Sequence, residues 1–469
     1  MNNPLPERTT KTWVLLLTSA ASFMAILDAM VVTTALGAIR QDLGASIELL
    51  EWTVNAYNLS FAVLLLTGAA LGDRLGRRRI FIGGIALFTA ASVWCALGPG
   101  AGWLIAGRAL QGVGAALLMP LAMALLSAAF PPEERARALG IFGGINGIAL
   151  IIGPIIGGAV AEGLAWRWIF WINLPIGLAL VPLVRRRIPE SMGARIAIDM
   201  PGVLLVTGAA LGLVWALMRC NHLGWTHPEV LASLGAALVL ALGFVARELR
   251  AREPMVPLRL FRSRAFSAGV VASFLFYAGM YGVLFLLPQF LQTAQGLGPL
   301  GVGLHLLPWT APLFVFAPLG GSLVNRLGER TLVVTGVLLQ AVCMAWIGLV
   351  ADPALPLVQL AAPLLISGAG VSAAMPAVQN AILGAVARPE IGKASGIFNM
   401  VRFLGGVFGV AMVVAVFGAN GDVGSPETFT AGFAPALGLA AALSLLGALA
   451  GMALPGRRAV AFTPANQQA

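Results

Sequence analysis

A chain of 469 residues that is 59% hydrophobic and only 10% charged cannot clothe a water-facing surface, because soluble domains carry about 25% charged residues. The mean hydropathy of +0.91 excludes a soluble fold, and the +10 formal charge would suggest nucleic acid only if the basic residues shared a soluble face. Three cysteines, Cys95, Cys220 and Cys343, form an odd set without metal-ligand spacing and read as packing residues.

Apolar runs of about 20 residues between short charged or Gly/Pro-rich stretches are what a hydrocarbon core about 30 Å thick demands of helices. In chain order they predict fourteen spans: 13–35, 52–71, 80–98, 102–128, 137–160 and 168–184, then 200–218 and 229–246, then 266–290, 301–323, 331–350, 357–384, 393–418 and 432–454. The first follows Arg8 and Lys11 as a signal peptide would, but it outruns a signal h-region of about 7 to 15 residues. It reads as an uncleaved span. Sorted by connection, 24 of the 29 Lys and Arg fall on the face carrying both termini. The other loops hold Arg40, Arg167 and Arg219, and Arg108 and Arg402 lie inside spans. That asymmetry predicts cytoplasmic N- and C-termini and leaves no basic face for nucleic acid. The arginines flanking the seventh and eighth spans read as anchors against lipid headgroups.

The chain also repeats. LGDRLGRR at 71–78 returns as LVNRLGER at 323–330, and GIF at 140–142 returns at 396–398, offsets of 252 and 256 residues. Two echoes at nearly one offset predict a duplicated six-helix unit. The expected organisation is an N-terminal half over 1–187, a linker with two inserted spans over 188–250, and a C-terminal half over 251–469.

Ionisable groups inside spans are expensive and default to function. Asp28, Arg108 and Arg402 are the three read as deep. At 1.5 Å per residue, Asp28 lies roughly 22 Å into a rising span and Arg108 roughly 9 Å into a descending one. In a core of about 30 Å these are one level, so the geometry allows a pair, direct or through water, in the outer half of the bundle. Asp28 would then gain and lose a proton as burial and the nearby cation trade influence. A permanent structural pair is the alternative. Asn55, Asn58, Asn146, Tyr277, Tyr281, Trp309, Gln379 and Asn380, with Asp28 and Arg402, are candidate cavity residues. Each also has a bland role, in interhelical hydrogen bonding or at an interface. Glu51 and Glu162 read as solvated interfacial acids, and the three histidines have no companions for a metal.

Four stretches together resemble the major facilitator superfamily, and within it the fourteen-helix drug/proton antiporters of the multidrug efflux type. They are ILDAMVVTTAL (26–36), ALGDRLGRRR (70–79), LIAGRALQGVGAA (104–116) and GPIIGG (153–158), the last followed by WRWIFWINLP (166–175). The resemblance covers essentially the whole chain. It implies an all-α membrane fold of two six-helix halves plus two inserted helices. It also implies a transporter rather than an enzyme, in a bacterial inner membrane, monomeric, taking a small-molecule substrate in exchange for protons and needing no cofactor beyond the proton gradient. Asp73, Arg74, Gly76, Arg77 and Arg78 would form a charged clamp at the cytoplasmic gate. Gly153, Pro154, Gly157 and Gly158 would mark antiport, the glycines giving close approach and the proline a bend. The sequence departs from the pattern at Ala69, at Asn325 where the second copy loses the acid, and at Ala29 and Met30 after Asp28. A dedicated exporter of one metabolite, antibiotic or lipid would use the same scaffold. A polytopic enzyme is disfavoured because no nucleotide loop or buried catalytic constellation appears, and a sensor because no soluble output domain does.

Overall fold

The computed structural model describes residues 7–193, 199–251, 254–312, 324, 326–387 and 390–456. Among them there are helices and no strands, as a bilayer that offers no backbone partners requires. In chain order the helices are α1 (Glu7–Leu43), α2 (Ile47–Leu75), α3 (Arg77–Ala96), α4 (Ala101–Ala129), α5 (Pro132–Gly163), α6 (Trp168–Trp171), α7 (Asn173–Arg187), α8 (Met200–Leu223), α9 (Pro228–Arg250), α10 (Arg264–Thr293), α11 (Pro299–His305), α12 (Leu307–Thr310), α13 (Glu329–Val350), α14 (Leu357–Gly384), α15 (Ile391–Asn420) and α16 (Pro426–Gly451). Thirteen stretches are long and apolar enough to cross a membrane, α6 and α7 counting as one. The expected tenth span begins with α11 and α12, and its remainder, 313–323, lies outside the described residues, as do Asn325 and the linker residues 194–198.

Helix ends differ from the apolar runs because caps, not hydropathy, set them. Ser46 accepts from Leu49 N at the start of α2, which moves that start five residues ahead of the expected 52. Asp199 caps α8, Ser263 caps α10, and Ser425 with Thr428 forms a capping box on α16.

The halves pair their helices alike. In the first, α1 packs on α5 and α7, and α3 on α4 and α7; in the second, α10 packs on α15 and α16, and α13 on α14 and α16. The sequence echoes are therefore matched by equivalent packing. Between halves, α2 lies on α15 and α5 on α11, a reciprocal exchange of like elements. The inserted α8 packs on α9 and reaches both α2 and α15, so it lies against the seam.

The seam is shut at the end away from the termini. There, Gln292 Nε2 donates to Thr34 O at 2.9 Å, and Leu300 N donates to Glu162 Oε2 at 2.9 Å. Glu162 is exposed, as expected, yet it caps a helix of the other half. Toward the terminal face, α5 exposes Ile141, Gly143, Gly144 and Ile148, and a Cβ at 143, 144 or 147 would meet nothing.

Candidate transport site

Asp28 and Arg108 meet at their shared depth. They form a buried ion pair between α1 and α4, 3% and 2% exposed. The pair is embedded in neutral polar groups. Gln111 Nε2 and Asn173 Nδ2 donate to Asp28 Oδ1 at 3.1 and 2.7 Å, and both also donate to Ser92 Oγ, at 2.7 and 2.9 Å. Arg108 donates further to Gln111 Oε1 at 2.9 Å and to Thr53 O at 3.1 Å, and its guanidinium stands 4.4 Å from the centre of the Tyr57 ring. Among the described residues, every hydrogen-bond partner of Asp28 is a donor. The arrangement suits a carboxylate, which accepts only.

Gln111, Asn173 and Ser92 were not read from the sequence as site residues. Gln111 carried a signal, since it falls three residues after Arg108, on the same helix face. Asn173 became visible only once α6 and α7 turned it inward, where it is 1% exposed.

Two small cavities flank the pair. One is lined by Asp28, Asn173 and apolar residues of α1, α5 and α6. The other is lined by Arg108, Tyr57 and Asn58 from the first half and by Tyr281, Leu284 and Phe403 from the second. Phe403 meets Phe61 edge to face at 4.3 Å, so aromatic rings span the two halves beside the guanidinium. Of the expected cavity residues, Asp28 lines the first cavity and Asn58 and Tyr281 the second. Arg402 lies with its guanidinium 4.9 Å from the Tyr277 ring and 5.3 Å from that of Phe403. Asn146, Trp309 and Gln379 are half-buried and Asn380 is exposed; none of the four lines either cavity. Asn55 is wholly buried and donates to Glu51 instead of lining these cavities.

Glu51 corrects the sequence reading. It is fully buried, not solvated, because the early start of α2 carries it inside the bundle.

The charged loop after α2 is fastened to itself and to the first residues of the linker. Asp73 accepts from Arg77 Nε at 2.7 Å, and Gly76 takes φ +111°, a backbone that favours glycine. The partner is the segment after α7: Glu190 accepts from Arg78 N at 2.8 Å and lies 3.6 and 3.7 Å from the Arg78 and Arg79 side chains. Ser191 O accepts from Arg77 N at 2.9 Å, and Gly193 N donates to Asp73 O at 3.1 Å. Arg74 is exposed.

GPIIGG joins three helices. A Cβ at Gly153 or Gly157 would fall 2.5 Å from Met30 Cβ or 2.3 Å from Thr34 Oγ1 of α1. On the other side, a Cβ at Gly158 would fall 2.2 Å from Pro299 O, and one at Gly303 would fall 2.5 Å from Pro154 O. The motif is thus both a packing face within its half and the seam with α11. The three cysteines are free and buried, and no cluster of metal ligands occurs among the described residues.

Two like-paired helical halves around a buried ion pair, with their seam shut at one end, define a multi-pass membrane transporter for a small molecule. The chain belongs to the Major Facilitator Superfamily, whose sequence model matches residues 18–410. Its relatives include the tetracenomycin C resistance and export protein of Streptomyces glaucescens, 36% identical over 88% of this chain and 77% of that one. Multidrug resistance protein Stp of Mycobacterium tuberculosis is 35% identical over 87% of this chain and 76% of its own length. The methylenomycin A resistance protein of Streptomyces coelicolor is 33% identical, covering 93% and 91%. Among solved structures, the POT family transporter PepTSo superposes with a TM-score of 0.72 at 13% identity, covering 96% of this chain and 97% of that one, a likeness of fold alone.

Proposed function

We propose that this chain exports small, largely apolar compounds, drugs or antibiotics among them, from a bacterial cytoplasm in exchange for protons. The observation that carries the reading is the Asp28 carboxylate, buried and bonded only by donors. In this arrangement protonation would sacrifice hydrogen bonds to a charged acceptor, each worth about 1.5–3 kcal/mol. Once the halves rearrange and Arg108 withdraws, burial favours the neutral acid instead. Alternation between the two environments loads and releases a proton.

The small-residue seam of α5 with α11 supports antiport, since it lets the halves part and close without bulky side chains to unpack. The positive-inside asymmetry supports cytoplasmic termini in an inner membrane. The conformation described here is then the one sealed outward and ready to take substrate from the cytoplasm. On this reading the halves are 1–187 and 251–469 with 188–250 inserted. Arg-rich flanks rest on lipid, the 73–78 clamp steadies one access state, and a single chain works with the proton gradient and no cofactor.

A narrower reading is favoured by relatives named for one antibiotic each, tetracenomycin C and methylenomycin A. Transport of a panel of cationic, neutral and anionic compounds into proteoliposomes, with and without an uncoupler, tests both. Uncoupler-sensitive transport of several unrelated compounds supports the broad reading, and of one compound the narrow. Transport indifferent to the uncoupler contradicts proton coupling.

A further inference from the structure

Glu51 presents a mismatch that one proton resolves. It has 0% exposure, and its Oε1 accepts from Asn55 Nδ2 at 2.9 Å. Among the described residues, its Oε2 and the Asn55 Oδ1 are both buried with no hydrogen-bond partner. A carboxylate beside an amide would leave these two acceptors buried without a donor, a cost of about 1–3 kcal/mol for each orphaned group and more for a charged one. A proton on Oε2 turns the pair into a carboxylic acid opposite a primary amide. Two antiparallel hydrogen bonds then close a ring, N–H to Oε1 and O–H to Oδ1, and both orphans are satisfied.

Among the described residues no cation forms an ion pair with Glu51. Arg108 is engaged by Asp28, Gln111 and Thr53. The cations on helices packed against α2 have other partners: Arg40 of α1 donates to Val423 O, Arg79 of α3 lies by Glu190, Arg219 of α8 pairs with Glu229, and Arg402 of α15 lies against the Tyr277 and Phe403 rings. Glu48, three residues earlier on the same helix, is another acid.

The place of the pair gives the proton a consequence. Glu51, Asn55 and Leu59 stand at intervals of four on one side of α2, and Leu59 shares a buried cluster with Val407 and Ala411 of α15. The ring therefore sits on the side of α2 that meets the other half, near the end away from the termini.

We propose that Glu51 is a proton-held latch of the α2–α15 seam. It is neutral and ring-bonded to Asn55 while the seam is shut. When the seam opens toward the face away from the termini, it gives its proton to water and becomes a solvated carboxylate. Reclosure needs the proton back, so it is favoured by acid and opposed by alkali on that face. The neutral acid is a matter of this structure alone, whereas its part in the transport cycle rests on the antiport reading above.

Glu51→Gln is the test variant, because its amide donates to Asn55 Oδ1 as the acid would and stays neutral at every pH. Infrared spectra of the reconstituted wild type are expected to hold a protonated-carboxyl C=O band, shifted by deuterium exchange, that is absent from Glu51→Gln. Identical carboxyl bands in the two proteins overturn the proposal. In transport, raising the pH on the face away from the termini, with the pH difference across the membrane held constant, is expected to slow the wild type several-fold more than Glu51→Gln, in which only the proton demand of Asp28 remains. An equal slowing of both proteins overturns the latch. If the wild type exchanges no protons with substrate, the antiport reading fails, and the infrared band still decides the state of Glu51.

Discussion

Arg108 of α4 holds one oxygen of Asp28 of α1, and it does so through a contact that excludes water almost completely. The other oxygen is held by Gln111 and Asn173, so three helices besides α1's own turn serve one carboxylate through α4 and α7 and the shared Ser92 of α3. The consequences of removing these partners differ.

Gln111→Leu removes a hydrogen bond that a carboxylate accepts more strongly than a neutral acid does, along with the one that Gln111 accepts from Arg108. Losing a donor to the charged form favours the protonated form. The pH profile of substrate-driven proton exchange should move to higher pH. Stopped-flow proton release across a pH series measures it. An unmoved profile would mean that Gln111 does not sense the charge of Asp28.

Gly158 has no room for a side chain in the shut seam, since its Cβ would fall 2.2 Å from the Pro299 carbonyl. Gly158→Ala should therefore populate the state in which α5 and α11 have parted. A cysteine placed at Thr34, which is buried here, in a background with Cys95, Cys220 and Cys343 replaced, should react faster with an impermeant thiol reagent in Gly158→Ala. Unchanged labelling would show that the seam absorbs the methyl group.

Gly76→Ala meets two obstacles. The backbone at φ +111° strains any L side chain, and the new Cβ would lie 3.0 Å from the Glu190 carboxyl carbon. Strain of this kind costs about 1–3 kcal/mol. Thermal unfolding in detergent should show a lowered midpoint that Glu190→Ala fails to restore, because removing the carboxylate relieves the contact and not the dihedral. Full restoration would assign the cost to the contact alone.

The bundle was legible because hydropathy, loop charge and the repeat each report on the bilayer or on duplication, and neither depends on tertiary detail. The Asp28–Arg108 pair was legible because two deep opposite charges at one level have few other partners in hydrocarbon. Gln111 and Asn173 were not, since an uncharged amide in an apolar run looks the same whether it holds a carboxylate or another helix. Glu51 was misplaced for a different reason. An acid at the edge of an apolar run reads as interfacial until the cap at Ser46 is recognised, and that cap adds more than a turn of helix below it. The clamp was half legible: Asp73 and Arg77 pair within their motif, but Glu190 comes from 112 residues beyond Arg78. No local pattern announces such a partner.

The central claim is that Asp28 carries the coupled proton. Asp28→Asn keeps the size and hydrogen-bonding reach of the side chain but cannot titrate, and it leaves Arg108 buried without its counter-charge, a change that costs about 3–5 kcal/mol for a broken buried pair. A thermal midpoint and a substrate-binding isotherm first establish that the variant is folded. Proton movement on substrate addition to proteoliposomes is then compared with the wild type. Binding retained with proton exchange abolished is the predicted result; exchange at the wild-type level would contradict it.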